Sequence, residues 1–124
     1  MSGTTASIAL VDDDPSVLRA LARLLRASSY DAKTYSSAQE FLGSLQISVP
    51  TCLIVDLQMP EMTGLDLQYH LKSSGIHIPT IIISAHNELS ARQRCVAAGA
   101  RAYLLKPLQS RSLIAAINMA IGRC

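Results

Sequence analysis

Ile8-Ala9-Leu10-Val11-Asp12-Asp13-Asp14-Pro15 is the stretch from which the fold of this chain is read. An apolar run this short, ended by turn-forming residues, reads as a strand. Asp14 before Pro15 offers an acceptor at a helix N-cap and a ring already set to helical φ at the next position. The octet therefore predicts strand, acidic turn, helix. Three later apolar runs stop in the same manner. Leu53-Ile54-Val55 meets Asp56, Ile81-Ile82-Ile83 meets Ser84, and Tyr103-Leu104-Leu105 meets Lys106. In an open parallel α/β sheet, ligands bind in the crevice beyond the carboxyl ends of the strands. Carboxylates, a hydroxyl and an ammonium thus reach one sheet edge, a set suited to a divalent cation plus a phosphoryl group.

The segments between these runs have helical spacing. Val17, Leu18, Leu21, Leu24 and Leu25 share one face after Pro15, with Arg19, Arg23 and Arg26 off the stripe and Ser28-Ser29 as the stop. Asp31 to Tyr35 is a strand of mixed polarity, suited to a sheet edge. Ser37 and Glu40 form a capping-box pattern before a short helix with Phe41, Leu42 and Leu45. Cys52 to Val55 is the third strand, apolar on both faces as a central parallel strand should be, and a loop from Asp56 to Gly64 carries Pro60. Leu65 to Ser74 reads as a helix stopped by Gly75, and Thr80 to Ser84 as the fourth strand. A helix from about Glu88 to Ala98 ends at Gly99. Ala102 to Leu105 is the fifth strand, and Ser110 to Ile121 the last helix, with Leu113, Ile114, Ile117 and Ile121 in register. Five alternations of strand and helix imply an α/β fold of parallel β-α-β units with right-handed crossovers, a doubly wound three-layer sandwich. One domain is expected over residues 1–124, with its core at about 7–121; no linker or repeat interrupts it.

Composition narrows the function classes. Hydrophobic residues make up 49% and charged residues 16%, enough apolar material for a core. A net charge of +2 with scattered basic residues gives no footprint for nucleic acid or an anionic membrane. With no Trp and few aromatics, base stacking is disfavoured. Cys52, Cys95 and Cys124 lack metal-ligand spacing. The first two read as core hydrophobes, and Cys124 as exposed. Met1 to Ser7 lacks the pattern of a signal peptide, and no run spans a membrane, so a cytoplasmic location is expected.

Taken singly, each candidate has an ordinary explanation. Asp14 is most simply the helix cap, which leaves Asp12 and Asp13 over; a helix N-terminus favours acidic residues in any case. Asp56 could cap a loop, Lys106 could be a surface lysine, and Ser84 could form a turn. Together at successive strand ends they admit one explanation. Crowded carboxylates need a cation, and hard oxygen ligands favour Mg²⁺. A carboxylate at Asp56 can attack phosphorus and form an aspartyl-phosphate. Lys106 can hold a phosphoryl oxygen as a point charge, and Ser84 can donate to the same group. The Lys106-Pro107 bond is a cis-peptide candidate.

On the motifs Val11-Asp12-Asp13-Asp14, Asp56-Leu57-Gln58-Met59-Pro60 with Gly64, Ser84-Ala85 and Lys106-Pro107, the chain resembles a receiver domain of a two-component response regulator. The resemblance runs from Ile8 to about Ile121. Thr51 to Leu67 together with Ser84-Ala85-His86 is similar to the FixJ-like branch, whose receivers usually precede a helix-turn-helix DNA-binding domain. The resemblance implies a CheY-like, flavodoxin-like (βα)5 fold with strand order 2-1-3-4-5. It implies that Asp56 accepts a phosphoryl group from a sensor histidine kinase, and that the domain catalyses its own phosphotransfer and dephosphorylation without being a metabolic enzyme. Asp13, Asp56 and the backbone carbonyl of Gln58 would ligate Mg²⁺, with Asp12 acting through water. Lys106 and Ser84 would hold phosphoryl oxygens, and Tyr103 would be the aromatic switch partner of Ser84. Gln58 and His86 occupy positions that modulate hydrolysis. The face formed by the fourth helix, fifth strand and fifth helix would bind partners, including a second copy. The departures are Ser84 where Thr is commoner and Leu108 where an aromatic is frequent.

Other readings fit less well. A phosphatase with an aspartyl nucleophile needs an acid two residues on, where Gln58 stands. A nucleotide or flavin module needs a Gly-rich or hydroxyl-rich loop after the first strand, and Asp12-Asp13-Asp14 would repel phosphate there without a metal. A phosphorylation-independent scaffold is opposed by the complete set of site residues.

Overall fold

The computed structural model describes residues 6–122. Its elements alternate as the periodicities require: β1 (Ser7–Val11), α1 (Pro15–Ala27), β2 (Asp31–Tyr35), α2 (Ala38–Ser44), β3 (Cys52–Asp56), α3 (Gly64–Ser73), β4 (Thr80–Ser84), α4 (Leu89–Ala97), β5 (Ala102–Leu105) and α5 (Ser110–Ala120). The sheet is parallel, in the order β2-β1-β3-β4-β5. The mixed-polarity strand β2 is at one edge, where one side needs no partner.

Side chains alternate across a strand, and here both faces are covered. Ile8, Leu10, Ile54, Ile81 and Ile83 pack with Leu18, Leu21 and Leu25 of α1 and Leu113 and Ile117 of α5. Ala9, Val11, Leu53, Val55 and Ile82 pack with Phe41 of α2, Leu67 and Leu71 of α3, and Cys95 of α4. This gives the doubly wound, three-layer sandwich and explains why β3 and β4 are buried at every position. Each buried Ile or Leu contributes about 1.5–3 kcal/mol of transfer free energy. Cys52 and Cys95 are buried in these layers, and burial pushes both thiols up. Cys124 lies outside the described residues. Among the described residues, no helix is long and apolar enough to cross a membrane.

Helix ends follow their caps. Asp14 Oδ1 accepts from the Ser16 N–H at 2.9 Å, with Pro15 opening α1. Gly75 and Gly99 take positive φ just past α3 and α4. The expected Ser37–Glu40 box is only half formed. The Glu40 N–H donates to Ser37 Oγ at 3.1 Å, but the Glu40 carboxylate accepts from the N–H and hydroxyl of Ser36. A complete box occurs instead at Thr63 and Asp66, before α3. Asp56, expected to begin a loop, is the last residue of β3 and pairs with Ile83 in the ladder.

Candidate functional site

The sheet carries its polar strand ends to one edge. Asp12 follows β1, Asp56 closes β3, Ser84 closes β4 and Lys106 follows β5. Asp12 is 1% exposed and Asp56 4%, while Asp13 faces solvent. One carboxylate oxygen from each of these three residues lies within 4.8 Å of the others.

Buried carboxylates need compensating charge or hydrogen bonds. Lys106 Nζ lies 2.9 Å from Asp12 Oδ2 and 3.5 Å from Asp56 Oδ1. Asp12 Oδ1 also accepts from the Asp14 N–H at 2.9 Å, and Asp56 Oδ1 from the Gln58 N–H at 3.4 Å. These contacts do not cancel the crowding. Burial, and then the neighbouring Asp12 charge, push Asp56 up to about 6, although Lys106 and the Gln58 N–H pull it down. Burial alone would lower the Lys106 ammonium, but Asp12 and Asp56 outweigh it and raise its pKa. One ammonium thus stands beside two of three clustered carboxylates, all hard oxygen donors. A small divalent cation that keeps part of its water shell fits that donor set and charge.

Ser84 is fully buried beside the carboxylates. Its O–H faces two acceptors, Gln58 Oε1 at 3.0 Å and the His86 carbonyl at 3.2 Å, while its oxygen accepts from the His86 N–H at 3.0 Å. The Tyr103 hydroxyl donates to the same His86 carbonyl at 3.0 Å, and the Tyr103 side chain is buried. The Arg92 guanidinium of α4 lies 6.0 Å from the centre of that ring. The Tyr103 hydroxyl, and the Ser84 hydroxyl in alternation with Gln58 Oε1, therefore face one carbonyl in the β4–α4 loop. The Lys106–Pro107 peptide is cis.

The structure brings Asp12, Asp13, Asp56, Ser84, Lys106 and Gln58 together, with His86 and Tyr103 adjoining through the loop. His86 acts here through its backbone, which any residue type supplies, so its identity carried no signal for these contacts. Sequence reasoning missed the Gln58–Ser84 contact, the Arg92–Tyr103 stacking and the full role of Gly64. A Cβ on Gly64 would lie 2.8 Å from the Asp56 carbonyl oxygen and 3.2 Å from Leu57 Cα. Only glycine lets α3 begin this close to the strand end. The Gly64 N–H donates to the Leu57 carbonyl at 3.2 Å.

Comparison with known proteins points the same way. The model of the response regulator receiver domain family matches residues 8–118. The chain is 40% identical over 121 residues to the response regulator protein TodT of Pseudomonas putida, covering 98% of this chain and 53% of that protein. It is 32% identical over 117 residues to the transcriptional regulatory protein FixJ of Azorhizobium caulinodans, covering 92% of this chain and 54% of that one. The chain thus spans about half the length of these relatives. Among solved structures, a response regulator receiver protein from Burkholderia phymatum superposes with a TM-score of 0.85 at 40% identity, covering 97% of this chain and 98% of the other. The amino-terminal part of FixJ superposes at 0.89 with 30% identity, covering 98% of both chains.

Proposed function

The chain belongs to the response regulator receiver family, and on that premise we propose that it is a phosphoacceptor switch whose Asp56 takes a phosphoryl group from the phosphohistidine of a sensor histidine kinase. The observation that carries this reading is the convergence of Asp12, Asp13 and Asp56 with Lys106 at 2.9 and 3.5 Å.

An Asp56 carboxylate oxygen attacks phosphorus while the N–P bond of the phosphohistidine breaks and its electron pair stays on the imidazole nitrogen. Lys106 moves from its carboxylates to the incoming phosphoryl oxygens, and the Ser84 hydroxyl turns to them from Gln58 and His86. Asp13, Asp56 and the Gln58 backbone carbonyl would hold Mg²⁺, with Asp12 assisting through water. When bound, Mg²⁺ neutralises charge on the equatorial oxygens of a loose transition state. Hydrolysis of the acyl phosphate resets the switch, with Gln58 and His86 tuning its lifetime. The protein is a regulator that catalyses its own phosphotransfer and dephosphorylation.

Departure of Ser84 from the His86 carbonyl removes one of its two hydroxyl partners. The β4–α4 loop and the buried Tyr103 then rearrange together, a local charge event read out at the α4–β5–α5 face. That face passes the signal to a second copy and to an output module, a DNA-binding transcription regulator in this reading. The domain itself contacts no nucleic acid or membrane and works in the cytoplasm.

The test is acid-labile phosphorylation by a small phosphodonor, read by intact mass with and without Mg²⁺. Mg²⁺-dependent label on the wild type, lost in Asp56→Asn, is the expected result. No label with donor and Mg²⁺ in excess would sink the reading in favour of a phosphorylation-independent scaffold.

A further inference from the structure

The first turn of α4 has few fixings of its own. The side chain of its N-cap, Glu88, makes no capping hydrogen bond, and no acid stands in the turn. Leu89 and Ser90 are exposed, which leaves Ala91 as the buried side chain of the turn. Arg92 closes it, the Arg92 N–H donating to the Glu88 carbonyl at 3.0 Å. A cation this near a helix N-terminus is unfavourable, because the unpaired N–H groups there carry partial positive charge. Glu88, four residues earlier, is within reach as a partner, yet Arg92 forms no ion pair among the described residues. Its guanidinium lies instead over the Tyr103 ring, 6.0 Å from the centre. That ring is buried, and its hydroxyl donates to the His86 carbonyl at 3.0 Å. Tyr103 is thus held twice, by the β4–α4 loop at its hydroxyl and by α4 at its π-face.

We propose that Arg92 is a positioning residue for the switch, holding the Tyr103 ring buried and its hydroxyl on His86 before any phosphoryl group arrives. The inference rests on the reading of Asp56 as phosphoacceptor and of Tyr103 as the ring coupled to Ser84. The negative face of an aromatic ring attracts a guanidinium, which also stacks flat upon it. An arginine stem can cover a ring by packing alone. Packing alone would be served as well by an uncharged side chain, which would not oppose the helix end, so the charge is the part that acts. The contact has a consequence for Ser84. With Tyr103 fixed on the His86 carbonyl, Ser84 can leave that acceptor for a phosphoryl oxygen without stranding it. Loss of the Arg92 charge frees the ring and makes that departure costlier.

The experiment has two readouts on the whole chain. In the first, meta-fluorotyrosine is incorporated and fluorine NMR is recorded, with Tyr103→Phe assigning its signal among the four tyrosines. The change in that signal between light and heavy water measures exposure of the ring. Arg92 is exposed, so substitutions there should leave the fold intact. Arg92→Met, which keeps an apolar stem without the charge, is expected to expose the ring, and Arg92→Lys to fall between it and the wild type. In the second, Arg92→Met should slow Mg²⁺-dependent labelling by a small phosphodonor about two- to fivefold. It should slow it no further once Tyr103→Leu has removed the ring. A wild-type fluorine signal in Arg92→Met, or the same slowing with and without the ring, would each overturn the proposal. A wild type that takes no label would overturn the phosphoacceptor reading instead, and the fluorine signal would still decide whether Arg92 holds the ring.

Discussion

Asp56 ends β3 beside Asp12, and its pKa of about 6 against an ordinary 3.8 has a consequence for stability. Between those two pH values the folded state holds a proton that the unfolded state has lost. Stability therefore falls as pH rises through that window, and the full cost is present above about 6. The cost is on the order of 3 kcal/mol at neutral pH. Asp56→Asn should thus raise the melting temperature of the metal-free protein by several degrees at pH 7 and by little at pH 4; equal gains at both would refute the assignment. Mg²⁺ affinity should rise through pH 6 for the same reason, since a ligating carboxylate must be deprotonated. Gln58 has a separate consequence. Its Oε1 stands 3.0 Å from Ser84 Oγ, so a phosphoryl group must compete with it for that hydroxyl. Gln58→Ala should alter the half-life of the phosphorylated protein several-fold, and an unchanged decay of the acid-labile label would remove Gln58 from the mechanism.

At the scale of elements, the join between β3 and α3 sets the position of Asp56. A methyl at residue 64 would meet the Asp56 carbonyl oxygen at 2.8 Å, and backbone cannot give way cheaply there. Gly64→Ala should cost about 1–3 kcal/mol and slow phosphorylation by displacing Asp56. Gly43, inside α2, has nothing within 4 Å of the same methyl, so Gly43→Ala should instead stabilise by about 0.5–1 kcal/mol. Paired thermal melts read both signs, and a harmless Gly64→Ala would show that the join is soft. The helix starts display the limits of pattern reading at this scale. Ser37 and Glu40 have capping-box spacing, yet Glu40 turns to Ser36; Thr63 and Asp66 complete a box with an acid one methylene shorter. Spacing brings the groups within reach, but the path of the preceding residue selects the donor.

Across the whole molecule, exposed apolar side chains on α4 and β5 bear on assembly: Leu89 is 68% exposed, Val96 52% and Leu105 41%. In the proposed switch this face gains a partner when the Ser84–His86–Tyr103 contacts rearrange. Light scattering should find a larger mass with a phosphoryl mimic than without, and Val96→Asp should abolish the increase; the same mass in both states would count against assembly through this face. The alternation of strands and helices, the double burial of β3 and the edge character of β2 were legible from residue order, because short-range periodicity records which faces of an element avoid water. So was the delivery of Asp12, Asp56, Ser84 and Lys106 to one edge, since parallel strands all end on the same side. The strand order came through resemblance, because periodicity says which faces are covered and not which strand lies beside which. The close contacts became visible only with the chain folded. Lys106 meets Asp12 across 94 positions, and Ser84 meets Gln58 across 26. The tight seat of Gly64 likewise depends on how α3 settles against its neighbours. Such contacts follow from strand adjacency and side-chain rotamers, which no local pattern of residues encodes.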